Sequence, residues 1–210
     1  PCAICTSIKI KDDSLWNEVI YIVNSDVDYD QYVIDKIRAL LLTPFNYTLY
    51  LDADTFVLDN TTELFKILNK FDIAICHGHN RLRRYNIQHG IISHRGKKRK
   101  VISDSIPYAF ATLQSGLILY KKNDKIDKLL NELLALYKKK SFYDDQAIIR
   151  ELLWESDIRF YILPPEYNFN SIKDYKYWKR NEHIAKPKIF HYTKHNPTCL
   201  KVLLILVQWF

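Results

Sequence analysis

The stretch LYLDADTFVLDN, residues 49–60, places two carboxylates, Asp52 and Asp54, one residue apart at the end of an apolar run. Its flanks read as a buried strand. Two carboxylates at i and i+2 share one face of a strand, and at a strand-to-loop transition both can turn toward one point. Unpaired, they repel, and one takes up a proton. A divalent cation removes the conflict, and hard oxygen donors in small number suit Mg²⁺ or Mn²⁺ completed by phosphate oxygens. Spacing alone supports equally a pair of loop aspartates capping the following turn.

Outward from this stretch, apolar runs of strand length recur at 18–23 (EVIYIV), 48–52 (TLYLD), 72–77 (DIAICH), 111–120 (ATLQSGLILY), 159–164 (RFYILP) and 188–192 (KIFHY). Between them the spacing predicts helices over 31–42, 61–70, 124–138 and 144–154. Asn60 with Glu63 three residues later reads as a capping box for the second. In the third, Ile126, Leu129, Leu130, Leu133 and Tyr137 form one apolar stripe. Alternating strands and helices predict an α/β fold with a mostly parallel sheet flanked by helices. Ligands bind at the carboxyl ends of strands in such sheets, and Asp52 and Asp54 occupy one of those ends.

The 210 residues are 48% apolar, enough for one domain with a sizeable core. Tyrosine (15) and phenylalanine (10) abound while glycine (4) is scarce, which disfavours folds built on glycine-rich phosphate loops. The net charge of +7 is concentrated: residues 81–100 hold eight Lys/Arg and no Asp/Glu, leaving the remainder close to neutral. That segment reads as a basic loop over 81–103. The apolar tail over 199–210 is shorter than the roughly 20 residues that cross a bilayer, and reads as a terminal core element or as the stub of a chain that continues; membrane association has no support here. Four cysteines are too few and scattered for a disulfide framework, and the single CxxC of Cys2 and Cys5 has no second pair with which to build a zinc site. Methionine is absent, even at position 1, so the natural chain is expected to begin earlier. The compartment is unassigned, with the cytoplasm as the default.

Lys36, followed sixteen residues later by LDADTFVLDNTTELF, resembles the GT-A glycosyltransferases, specifically the glycogenin-like group. Further segments match in the same order: QSGLILY (114–120), DDQ (144–146), PPEYN (164–168) and FHYT (190–193). It is this order that makes the resemblance specific, over roughly residues 18–195. The resemblance implies a GT-A (Rossmann-like) domain that transfers a sugar from a nucleoside diphosphate sugar, by family habit a UDP-sugar, to an unknown acceptor with Mn²⁺ or Mg²⁺. By it, Asp52, Asp54 and His191 hold the metal, and Ala53 lies between the aspartates. Lys36 contacts the nucleotide, Ser115 and Gly116 line the sugar site, and Asp145 and Gln146 face the donor sugar as the catalytic pair. Retention of anomeric configuration follows if the resemblance to glycogenin-like enzymes is complete.

Several positions depart from the family pattern. Gln114 stands where the family has asparagine, and Lys194 and Pro197 where it has a glycine and a phosphate-gripping lysine after the histidine. The family's first strand and helix precede anything present. In isolation, Lys36 reads as a solvated helix residue, His191 as a satisfied strand-end histidine and Asp145 as a helix cap. The basic segment, on the acceptor side of such a site, would attract an anionic acceptor. The rival enzyme is a haloacid-dehalogenase-type phosphatase using Asp52 and Asp54, although its signature wants Thr or Val at position 56, where this chain has phenylalanine. A non-catalytic basic binding module is a third reading. Specific nucleic-acid binding is disfavoured because the aromatics fall within apolar strands rather than among the basic residues.

Overall fold

A computed structural model of the chain describes residues 2–6, 14, 16–21, 29–78, 85–86, 91–94, 97–100, 106–107, 109–139, 145–170, 176–177, 180–181, 183, 185–191 and 203–207. The strands that form the main sheet are Cys2–Thr6 (β1), Glu18–Tyr21 (β2), Tyr47–Asp52 (β3), Ile73–His77 (β5), Leu113–Lys121 (β9), Phe160–Leu163 (β10) and Leu203–Val207 (β12). Their order across the sheet is β10-β5-β9-β3-β12-β1-β2. Five strands run in one direction, with β9 and β12 reversed among them, so the β10/β5 and β1/β2 pairs are parallel and the other four antiparallel. The expected mostly parallel sheet holds for strand direction; the two reversed strands make most neighbouring pairs antiparallel. The apolar tail enters this sheet as β12, between β3 and β1.

Strand alternation divides the core into two layers. Tyr50, Ile73, Ile75, Ile118 and Tyr120 face the helices Tyr29–Leu41 (α1), Asp124–Lys139 (α2) and Asp145–Glu155 (α3). Their alternates, Leu49, Leu51, Ala74, Cys76, Leu117 and Leu119, face the 3-10 helix Thr62–Asn69 with Leu64, Phe65 and Leu68. Successive residues of each central strand are therefore buried on both sides, which is why these runs are continuously apolar rather than alternating. The stripe Ile126, Leu129, Leu130, Leu133 and Tyr137 is buried on α2 as expected. Arg150 of α3 is also buried: its guanidinium donates to the carbonyls of Ala111 (3.0 Å), Phe110 (2.8 Å) and Pro107 (3.2 Å), tying the segment before β9 to the helix layer.

Two local expectations are corrected. The helix over 61–70 is 3-10, and the capping box does not form: Asn60 Oδ1 accepts the Thr62 N–H (2.8 Å), but the Glu63 carboxylate accepts from the Tyr167 hydroxyl (2.8 Å) and lies 3.6 Å from Lys188 Nζ. A hydroxyl and an ammonium from distant segments compete successfully for a carboxylate that would otherwise close the cap. The basic segment, expected as a loop, carries three antiparallel strands, Tyr85–Asn86 (β6), Ile91–His94 (β7) and Lys97–Lys100 (β8). Isoleucines followed by two connecting residues that include a glycine are a hairpin signal overlooked beneath the charge. The side chains of Cys2 and Cys5, and the whole of Cys199, Arg84, Asp144, Lys194, His195 and Pro197, lie outside the described residues.

Candidate functional site

The main strand of the site ends at Asp52, where residues 53 and 54 turn the chain into Thr55–Val57 (β4). The Thr55 hydroxyl donates to the Asp52 carbonyl (2.7 Å) and closes this turn. β4 pairs antiparallel with Ile189–His191 (β11), in a register that sets His191 opposite Thr55. The result brings a residue from far along the chain to the two aspartates. His191 Nε2 lies 2.9 Å from Asp54 Oδ1 and 3.7 Å from Asp52 Oδ2. One ligand atom from each of the three falls within 4.8 Å of the others, with Asp52 and His191 buried and Asp54 exposed. Ala53 is exposed at the turn itself.

A second cluster joins the first at Asp52. Lys36 of α1 is buried; its Nζ donates to Ser115 Oγ (3.0 Å) and lies 3.3 Å from Asp52 Oδ1 and 3.5 Å from Asp145 Oδ2. Ser115 in turn donates to Asp145 Oδ2 (2.7 Å). Asp145 opens α3, but its carboxylate is directed at Lys36 and Ser115. Read alone as a solvated helix residue, Lys36 proves to be the cation of a buried network, with its ammonium over the Tyr50 ring (5.2 Å to the centroid). Burial by itself would lower its pKa; the carboxylates of Asp52 and Asp145 outweigh that and raise it, so it stays charged. For Asp54, burial would raise the pKa, but the hydrogen bond and charge of His191 prevail and hold it below the usual carboxylate range.

An irregularity in the sheet makes room for this arrangement. Along β5 the register on β9 steps from Ile75↔Ile118 to Cys76↔Gln114, so residues 115–117 have no partner on that side. Such a bulge re-aims side chains. Here Ser115 turns to the helix side, toward Lys36 and Asp145, while Gly116 lies against His191. A Cβ on Gly116 would stand 2.4 Å from His191 Nδ1 and 2.5 Å from its Cε1. Only glycine lets the imidazole lie this close to the strand.

The residues given roles from the sequence, Ala53 and Gln146 excepted, thus fall into two clusters sharing Asp52. Gln146 follows Asp145 on α3, half-buried. Gln114 is buried with its Oε1 unpartnered among the described residues. Sequence reasoning missed two participants. Tyr50, two residues before Asp52 and on the same strand face, donates its hydroxyl to Asp52 Oδ1; burial first, then the Asp52 charge, keeps the phenol protonated. Asn168, inside the quoted PPEYN, contacts His191 through Oδ1 (3.2 Å). The i−2 position was the signal for Tyr50; nothing in the sequence singled out Asn168.

Three carboxylates face one ammonium here, so leaving His191 aside the cluster carries two excess negative charges. Two hard carboxylates and an imidazole, converging with that surplus, fit Mn²⁺ or Mg²⁺.

Neither a protein-family profile nor a curated protein matches the chain. Solved structures do. They include the bifunctional glycosyltransferase WbbM (TM-score 0.53, 17% identity, covering 85% of this chain and 34% of that one). Mouse xyloside xylosyltransferase 1 matches with a TM-score of 0.51 at 17% identity, over 86% of this chain and 77% of that one. The galactosyltransferase LgtC, in complex with donor and acceptor sugar analogs, matches with a TM-score of 0.50 at 16% identity, over 80% and 60%. The chain therefore spans less than two thirds of WbbM and of LgtC. At these identities the likeness is one of fold, and the fold is that of the GT-A glycosyltransferases.

Proposed function

We propose that this GT-A-fold chain transfers a sugar from a nucleoside diphosphate sugar, with uridine as the expected base, to an acceptor in a reaction that depends on Mn²⁺ or Mg²⁺. The single observation that carries the proposal is the convergence of Asp52, Asp54 and His191 within 4.8 Å at the carboxyl end of β3, in a cluster with surplus negative charge. Asp52, Asp54 and His191 would hold the cation. Bound there, it supplies Lewis-acid stabilisation of the charge that develops on the departing diphosphate.

The chain's own groups do the rest. Tyr50 and Lys36 fix the Asp52 carboxylate by hydrogen bond and charge, so it meets the cation in one orientation. Lys36, charged and buried, offers positive potential toward a phosphate-bearing ligand at the strand end. Asp145, held by Ser115 and Lys36 at the start of α3, is the carboxylate directed to the donor sugar, with Gln146 beside it. The resemblance to the glycogenin-like group adds retention of configuration as part of the proposal. The phosphatase alternative finds no support in the fold, whose structural likenesses are glycosyltransferases.

The test is calorimetric titration of UDP into the protein with Mn²⁺ and again with EDTA, beside Asp54→Asn. The expected result is binding that needs both the metal and Asp54, whose partly exposed side chain makes its loss tolerable to the fold. A folded wild-type protein that binds UDP equally with and without Mn²⁺, or not at all, sinks the proposal.

A further inference from the structure

His191 reaches the carboxylates through one ring nitrogen and is held from behind through the other. Nε2 faces Asp54 and Asp52, while Nδ1 lies 3.2 Å from Oδ1 of the fully buried Asn168. An amide oxygen only accepts, so this contact requires the ring proton on Nδ1. A neutral imidazole protonated on Nδ1 has its lone pair on Nε2, the form that ligates a metal; a cation bound there would take the place of the proton that Nε2 shares with Asp54 at 2.9 Å. With the amide reversed, Nδ2 would donate to Nδ1, the proton would sit on Nε2, and the ring would face the carboxylates as a donor.

Packing gives no reason for an amide at this position. Asn168 Nδ2 is buried without a partner among the described residues, which costs stability. A leucine of similar shape would avoid it. The backbone instead reads as a mount for this one contact. The Asn168 N–H donates to the Pro165 carbonyl (3.2 Å), and the next residue, Phe169, accepts the His191 N–H (2.9 Å) and bridges to Phe190. Amide and imidazole are carried on adjacent segments in fixed register, and glycine at 116 leaves both of them room.

We infer that Asn168 is a positioning residue that sets the orientation and the protonated nitrogen of His191, so that Nε2 is presented to the cation shared with Asp52 and Asp54. The inference rests on the metal-dependent reading above. Its test is direct titration of Mn²⁺ into the full chain, wild type and variants, with thermal melts in EDTA. Asn168→Leu should weaken Mn²⁺ binding about 10–100-fold. Asn168→Asp should restore it to the wild-type level or beyond, because a carboxylate accepts the Nδ1 proton more strongly, while lowering the melting temperature in EDTA by burying a charge. A residue that serves packing alone would not order affinity and stability in opposite directions. Asn168→Ala removes the same acceptor and carries the test if the leucine variant does not fold. Mn²⁺ affinity in Asn168→Leu or Asn168→Ala equal to wild type, with Asp54→Asn non-binding, overturns the role of Asn168 and leaves the metal reading standing. An aspartate variant that binds no better than the leucine variant also overturns it. A folded wild type that binds no Mn²⁺ overturns both.

Discussion

Replacing Lys36 by methionine keeps most of the buried stem and removes the charge that, among the described residues, the structure sets between Asp52 and Asp145. At 3.3 and 3.5 Å each attraction is about 5 kcal/mol at an effective dielectric of 20, before desolvation is subtracted. Removing one partner of a buried ion pair typically costs about 3–5 kcal/mol, since the remaining carboxylates stay buried without compensation. In a chain of this size that corresponds to a fall in melting temperature of about 6–20 °C. A divalent cation on Asp52, Asp54 and His191 would supply the missing positive charge, so the deficit should shrink when it binds. The assay is chemical unfolding of wild type and Lys36→Met, each in EDTA and in saturating Mn²⁺. A penalty below about 1 kcal/mol in EDTA would refute the buried network as a source of stability. A full penalty unchanged by Mn²⁺ would refute the idea that lysine and cation neutralise the same carboxylates.

Two further outcomes test the geometry. Gly116→Ala must displace the His191 ring, which a Cβ would approach to 2.4 Å, so Mn²⁺-supported UDP binding should be lost for a stability cost of about 1–3 kcal/mol; unchanged binding in calorimetry would show that the ring yields without leaving the carboxylates. Asp72, despite burial that opposes ionisation, is held at a pKa of about 2 by hydrogen bonds from Arg159 and Lys121. Because the folded value lies below the unfolded one near 4, its stabilisation is complete above about pH 5 and fades as pH falls toward 2. With solvent screening it amounts to about 1 kcal/mol, and Asp72→Asn should flatten that part of the stability-against-pH curve; an identical acid limb in both proteins would reject the assignment.

The order of elements was legible because each central strand is buried on both faces and each helix on one: continuous apolar runs and a 3.6-residue stripe are direct consequences of those two environments. Local competition was less legible. Glu63 reads as a capping residue along the chain, whereas Tyr167 and Lys188, which engage it, arrive from two distant segments. In the basic stretch the charge points to a loop, whereas the isoleucines and a glycine-containing connection favour the strands that form.

The candidate site divides along the same line. By itself the sequence determined the α/β alternation and the strand that ends at Asp52, and through motif order it pointed to Lys36, Ser115, Gly116, Asp145 and His191. Spacing could not say whether Lys36 meets solvent or carboxylates, because a helix face is defined only by what packs on it. The tertiary structure decided that. It buried Lys36 between Asp52 and Asp145, used a bulge in β9 to send Ser115 and Gly116 in different directions, and paired β4 with β11 to bring His191 to Asp54. It also placed Asn168 behind the histidine, a contact between residues 23 apart whose meaning depends on which nitrogen faces which atom. Such contacts are set by sheet register and by the absence of one methyl group at Gly116, and these distances exist only once the chain is folded.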